Sequence, residues 1–145
     1  MYKRQVWEFD YVLITSENSQ LAKEKEINET VLDKYIEVLH GDNIVPNISA
    51  TYQKKNAELN NHSRHIYVYE RGSQFDILSA CPDSFMWVSP LPKEILKRYG
   101  LVQRVCHSFK KTNKDVLIYQ SNYRLSHADQ MFLDELERVR KEISE

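Results

Sequence analysis

Short apolar runs of strand length alternate with helical segments along most of this chain, and that order limits the fold more than any other feature. Apolar runs bounded by turn residues read as strands, and apolar residues at three- and four-residue steps read as helices. Tyr11–Thr15 is a β-rich run closed by the polar Ser16–Ser19. Asn28 suits the cap of a short helix presenting Val31, Leu32 and Tyr35. Tyr35–Leu39 then reads as a strand stopped by His40, Gly41, Asp42 and Asn43. Pro46 suits the first turn of a weakly patterned helix reaching Leu59, and Asn60–Ser63 is a polar break. His65–Tyr69 is a further strand, ended by Gly72 and Ser73. Ser73 with Asp76 resembles a capping box opening a helix that carries Phe75, Ile77 and Leu78 and stops at Cys81-Pro82.

In the second half, Phe85–Val88 is apolar on both faces, as in a parallel strand covered by helices on both sides. Pro92 opens the next helix and Gly100 closes it. Leu101–Val105 and Val116–Tyr119 read as strands. Ser126 with Asp129 forms a second variant capping box at the start of the longest helix, Ser126–Ser144. Ala128, Met131, Phe132, Leu136, Val139 and Ile143 recur along it, opposite a face of Asp, Glu, Arg and Lys. The order predicts an α/β domain with a mostly parallel sheet flanked by helices. Such sheets place ligands in the crevice beyond the carboxyl ends of their strands.

At 145 residues the chain is one domain's worth, and its net charge is −1. A grip on nucleic acid needs a basic surplus on one face, so this segment is not expected to hold DNA by itself. The two cysteines, Cys81 and Cys106, form no C-x-x-C pair and read as reduced thiols of a cytoplasmic protein. No apolar run approaches the ~20 residues of a membrane span. Met1–Asp10 has no apolar core of a secretory leader, so a cytoplasmic location is expected. Met1-Tyr2-Lys3-Arg4-Gln5 back-translates to ATG TAT AAG AGA CAG, which resembles the end of a transposon-derived sequencing adapter. Residues 1–5 are therefore read as a scar, and residues 6–145 as part of a domain whose gene began upstream.

Candidate chemistry is sparse. His62 and His65 are three apart, but in a loop running into a strand, with no carboxylate or cysteine at ligand spacing, so no metal is expected. Cys106 and His107 are adjacent, and in extended chain they point to opposite faces, which disfavours a dyad. Cys81 before Pro82 reads as packing. Three glycines and no phosphate-loop, nucleophile-elbow or dinucleotide motif leave no sign of an enzyme or a cofactor. Tyr67, Tyr69, Phe85 and Trp87 lie on central strands, where aromatic residues either fill the core or line an apolar ligand cleft.

Three ordered stretches carry a resemblance. Tyr11–Tyr35 (YVLITSENSQLAKEKEINETVLDKY) has Leu21 and Ala22 at a turn between a strand and a short helix. Met86–Val102 (MWVSPLPKEILKRYGLV) runs strand, Leu-Pro, helix, Gly-Leu-Val. Val116–Leu136 (VLIYQSNYRLSHADQMFLDEL) runs strand, polar turn with Leu125-Ser126, amphipathic helix. Together they resemble the C-terminal part of the effector-binding domain of LysR-type transcription regulators, over about residues 8–143. The chain departs from the family pattern at Ser19 and Gln20, where His and Pro are usual, at His127, which replaces Pro, and at Ser79–Ser84, where a Gly-rich passage is usual.

The resemblance implies two α/β lobes of the type II periplasmic-binding-protein kind with the effector between them. It places in this chain one lobe plus a return strand and C-terminal helix belonging to the other. The remaining part of the first lobe and the N-terminal winged helix-turn-helix would lie outside the chain. It also implies allosteric control of DNA binding by a small effector, in a full-length protein that is a homo-oligomer. Phe132 and Leu136 would then be partly exposed.

The candidate effector contacts are His40, Gly41, Asp42 and Asn43, where free N–H groups and a glycine suit an anionic group, with Tyr69 and Ser73 as second candidates. A plain turn and a helix cap are the competing readings of these residues. A fragment of a periplasmic-type solute-binding protein of a transporter is the alternative function.

Overall fold

The computed structural model describes residues 1–41, 64–107 and 112–144. The helix expected over 46–59 and the break at 60–63 lie outside the described residues. The chain order is β1 (Tyr2–Asp10), β2 (Val12–Ser16), a 3-10 turn (Leu21–Lys23), α1 (Glu29–Leu32), β3 (Ile36–His40) and β4 (His65–Val68). It continues through α2 (Arg71–Ala80), β5 (Ser84–Val88), α3 (Lys93–Tyr99), β6 (Leu101–Arg104), β7 (Thr112–Tyr119) and α4 (His127–Ser144).

Five strands form one sheet in the order β4-β3-β5-β2-β6. β3 pairs in parallel with β4 and β5, whereas β2 is antiparallel to both β5 and β6. Four strands thus share a direction, and the sheet is mixed because β2 opposes them. The apolar run at β5 lies beside a parallel neighbour on one side and an antiparallel one on the other. All five residues of β2 are buried. Their alternation divides the core, since successive strand side chains point to opposite faces. Val12 and Ile14 join Val38, Met86 and Val88 under Phe75 and Leu78 of α2. Leu13 joins Phe85 on the other face, with Leu21, Ile27, Leu32, Tyr35 and Cys106. Burying each such aliphatic side chain contributes about 1.5–3 kcal/mol.

Local chemistry fixes the connections. Asn28 Oδ1 accepts the Val31 N–H at 3.0 Å, capping α1 as expected. Ser19 Oγ accepts the Leu21 N–H at 3.1 Å, so the turn that carries the first resemblance drives Leu21 fully into the core. Arg104 reaches back from β6 and donates to the carbonyls of Ala22 at 2.6 Å and Glu24 at 2.7 Å, holding that turn on the sheet. Gly100 ends α3 at φ 61°, ψ 42°, the left-handed conformation expected of it.

β1 was not anticipated as a strand. It pairs antiparallel with β7 as a separate two-stranded ribbon, from Tyr2↔Tyr119 to Asp10↔Thr112, with an irregularity between Gln5 and Trp7. Tyr2–Gln5, set aside in the sequence reading, make up its first part. Helix α4 starts at the expected reciprocal box: Ser126 N–H and hydroxyl donate to Asp129 Oδ2, and Ser126 Oγ accepts the Asp129 N–H at 3.2 Å. Leu133, Leu136 and Glu137 of α4 line a small cleft with Arg4, Val6 and Leu117 of the ribbon. Phe132, placed on the inward face by periodicity, is 62% exposed, and Met131 is 60% exposed. Leu133 takes the inward position because three consecutive apolar residues widen the stripe, and only part of it meets the ribbon.

Candidate functional site

The carboxyl ends of β3 and β4 stand side by side, with His40 in register with Val68. One residue further, Gly41 and Tyr69 meet. A Cβ on Gly41 would fall 2.4–2.6 Å from three atoms of the Tyr69 ring. Gly41 is buried although Tyr69 is 69% exposed. The close approach that a glycine permits is therefore taken up by the protein's own ring.

Tyr69 leads directly into α2. The N-cap is Glu70, not Ser73, and the helix begins before Gly72 rather than after it. Glu70 Oε1 accepts the Gly72 N–H at 2.8 Å, and Oε2 accepts the Ser73 N–H at 2.6 Å and the Ser73 hydroxyl at 2.7 Å. These three donors, the Ser73 hydroxyl foremost, hold the Glu70 carboxyl below the usual range. Ser73 is not the cap because it already lies inside α2, at its third residue. The pairing of Ser73 with Asp76 as a box does not occur for the same reason.

Gln74 follows in the first turn of α2 and is fully buried. Its Nε2 donates to the Val68 carbonyl in a long 3.5 Å hydrogen bond. Its Oε1 has no hydrogen-bond partner among the described residues. The amide thus lies beside the Val68 carbonyl, at the end of β4. Burying an acceptor without a donor is costly, and a group left so calls for an explanation.

Gly41 thus meets Tyr69, Ser73 meets the adjoining Glu70, and His40 is half-buried. Asp42 and Asn43 lie outside the described residues. Glu70 and Gln74 were missed. Gln74 was legible as a polar residue four positions before Leu78, on a helix face otherwise apolar. Glu70 gave no signal, because Glu is not among the favoured N-caps.

Other candidates resolve into structure. His65 Nε2 stands 3.5 Å from Glu37 Oε2, joining two neighbouring strands. Among the described residues no group of three metal-ligating side chains comes together. Cys106 is buried, and desolvation pushes its thiol upward, which suppresses the thiolate a nucleophile needs. Phe85 is core, Trp87 is half-buried against it, and Tyr67 and Tyr69 are exposed. Among the described residues no helix is long and apolar enough to cross a membrane.

No family model and no curated protein sequence matches the chain. Solved structures do. The effector-binding domain of QuiR in complex with shikimate matches at TM-score 0.58 and 18% identity, over 96% of this chain and 66% of that one. The regulatory domain of Synechocystis PCC6803 CcmR in complex with 2-PG matches at 0.58 and 16%, over 97% and 67%. The regulatory domain of MetR, a LysR family regulator from N. meningitidis, matches at 0.59 and 10%, over 96% and 63%. The mixed sheet and its flanking helices are those of a type II periplasmic-binding-protein-like fold. More particularly, the chain has the fold of the regulatory domains of LysR-type regulators, and it spans about two thirds of their length. These neighbours are effector-binding or regulatory domains.

Proposed function

We propose that this chain is part of the small-molecule effector-binding domain of a LysR-type transcription regulator. The observation that carries this reading is the match of nearly the whole chain to regulatory domains, two of them holding small molecules. That favours a regulator over a solute-binding component of a transporter. Residues 6–145 are the family part in this reading, and residues 1–5 are a scar in the sequence even though they extend β1 along β7. The protein is cytoplasmic and homo-oligomeric, and it meets DNA through a winged helix-turn-helix encoded upstream.

The effector is a small anionic molecule received at the rim of His40, Gly41, Asp42, Asn43, Tyr69 and Ser73. It acts by binding one arrangement of the protein more tightly than another, since only differential affinity shifts an equilibrium. No bond is made or broken. Thermal denaturation in a panel of small acids, aromatics and amino acids tests this reading. A ligand at a hundredfold excess over its Kd adds about 2.7 kcal/mol of stability. Genomic sequence upstream separates the alternatives: a helix-turn-helix supports the regulator, and a secretory leader supports the transporter. Robust turnover of any substrate by the chain would overturn both.

A further inference from the structure

Strand β1 is paired on one side only. It forms a two-stranded sheet with β7, and among the described residues no strand pairs with its other edge. Two strands alone are marginally stable, and an open edge is a template for another chain. Proteins guard such edges with lysines and bulges. β1 has an irregularity between Gln5 and Trp7, but its bases are matched by acids: Lys3 and Arg4 stand at one end, Glu8 and Asp10 at the other. The irregularity also decides which side chains share a face. Tyr2, Arg4, Trp7 and Phe9 are in register with Tyr119, Leu117, Asp115 and Asn113, alternate residues of β7, and so lie on one face. Lys3, Gln5, Glu8 and Asp10 take the other face, which runs from basic to acidic along the strand.

We propose that the free edge of β1 is self-complementary, and that two copies of this chain join through it as antiparallel neighbours in one four-stranded sheet. Lys3 of each copy stands opposite Glu8 of the other, Arg4 opposite Trp7, and Tyr2 opposite Phe9. Each pair falls on a single face, as cross-strand neighbours must. The two-fold axis makes every contact twice. Glu8, whose Oε2 is already 2.9 Å from Lys114 Nζ, is then flanked by a lysine on either side. Arg4 meets an indole, a favourable partner for a cation. The Tyr2 ring, 4.7 Å from that of Tyr119, extends an aromatic row to Phe9. In-register parallel pairing opposes like charges instead, so charge selects the antiparallel order. The pairing goes beyond the homo-oligomer reading above: Tyr2–Arg4 lie in the segment read as a scar, so this surface belongs to this chain and is not inherited from its relatives.

Sedimentation velocity of the full chain tests the pairing. The parent chain is expected to exchange between monomer and dimer. Lys3→Glu sets acid against acid at both symmetric contacts, and Glu8→Lys sets base against base. Both residues are exposed, so neither change touches the core. Each variant alone is expected to dimerise about tenfold more weakly or worse. An equimolar mixture of the two is expected to recover the parent's dimer, because one copy then supplies two acids and the other two bases. Recovery also shows that both variants are folded. A parent chain still monomeric at about 1 mM overturns the proposal and leaves the edge to some other partner. A dimer that both variants keep overturns it as well, as does a mixture that stays monomeric. The regulator reading stands in each of these cases, since it does not depend on the edge of β1.

Discussion

Gly41 and Tyr69, from the ends of neighbouring parallel strands, touch so closely that a methyl group on Gly41 would stand 2.4 Å from ring carbon Cε1. Overfilled contacts cost about 1–3 kcal/mol. The ring is exposed and has room to swing out. Gly41→Ala should therefore destabilise by about 1 kcal/mol, the low end of that range. In a Tyr69→Ala background the same substitution should cost nothing. Urea unfolding of the four proteins measures the coupling, and a coupling near zero would reject the contact.

Glu70 gives a pH dependence with a definite sign. Its folded carboxyl is held low by Ser73 and Gly72, so its contribution is complete above the unfolded carboxylate value. It is lost as pH falls through the lower, folded value. The unfolding midpoints of the parent chain and Glu70→Gln should differ at neutral pH and converge in acid. A gap that persists undiminished in acid would show that the carboxylate charge is not what caps α2.

Leu13 is fully buried in β2, on the Phe85 side of the core. Leu13→Ala should cost about 3 kcal/mol, within the usual range for deleting a buried leucine. Denaturant titration followed by tryptophan fluorescence reads this, because Trp87 packs against the same cluster.

Cys106 should resist alkylation in the folded chain. It is buried, and burial drives its thiol away from the thiolate form. Iodoacetamide at mild alkaline pH should label it only as the chain unfolds, with mass spectrometry reporting the site. Rapid labelling under native conditions would place the thiol in contact with solvent.

Much of the fold was legible because patterning and end signals agreed. Asn28, Pro92 with Gly100, and Ser126 with Asp129 each stood where a helix begins or ends, beside residues of the right period. Strand direction was not legible. β2 opposes its neighbours, and nothing in Val12–Ser16 encodes that, since pairing partners come from residues 84–88 and 101–104. β1 carries the alternation of Trp7 and Phe9 with Glu8 and Asp10, but no turn residue separates it from β2, and its partner β7 lies far along the chain. The inward face of α4 could not be chosen among Met131, Phe132 and Leu133 by periodicity, because the choice is made by the ribbon it meets. Of the candidate site, Gly41, Tyr69 and Ser73 were placed by the rule that ligands sit beyond strand ends. The occupant of the α2 end was not foreseen, since a longer side chain reaching its own helix leaves no spacing pattern.

One residue, Tyr11, separates the ribbon strand β1 from β2. β2 is hydrogen-bonded on both flanks and buried throughout, so it cannot yield to a pull along its length. A single residue carries only two soft dihedrals. Torque applied along β1 is therefore borne by that joint. The ribbon has, in effect, an axle seated in a strand that is buried along its whole length.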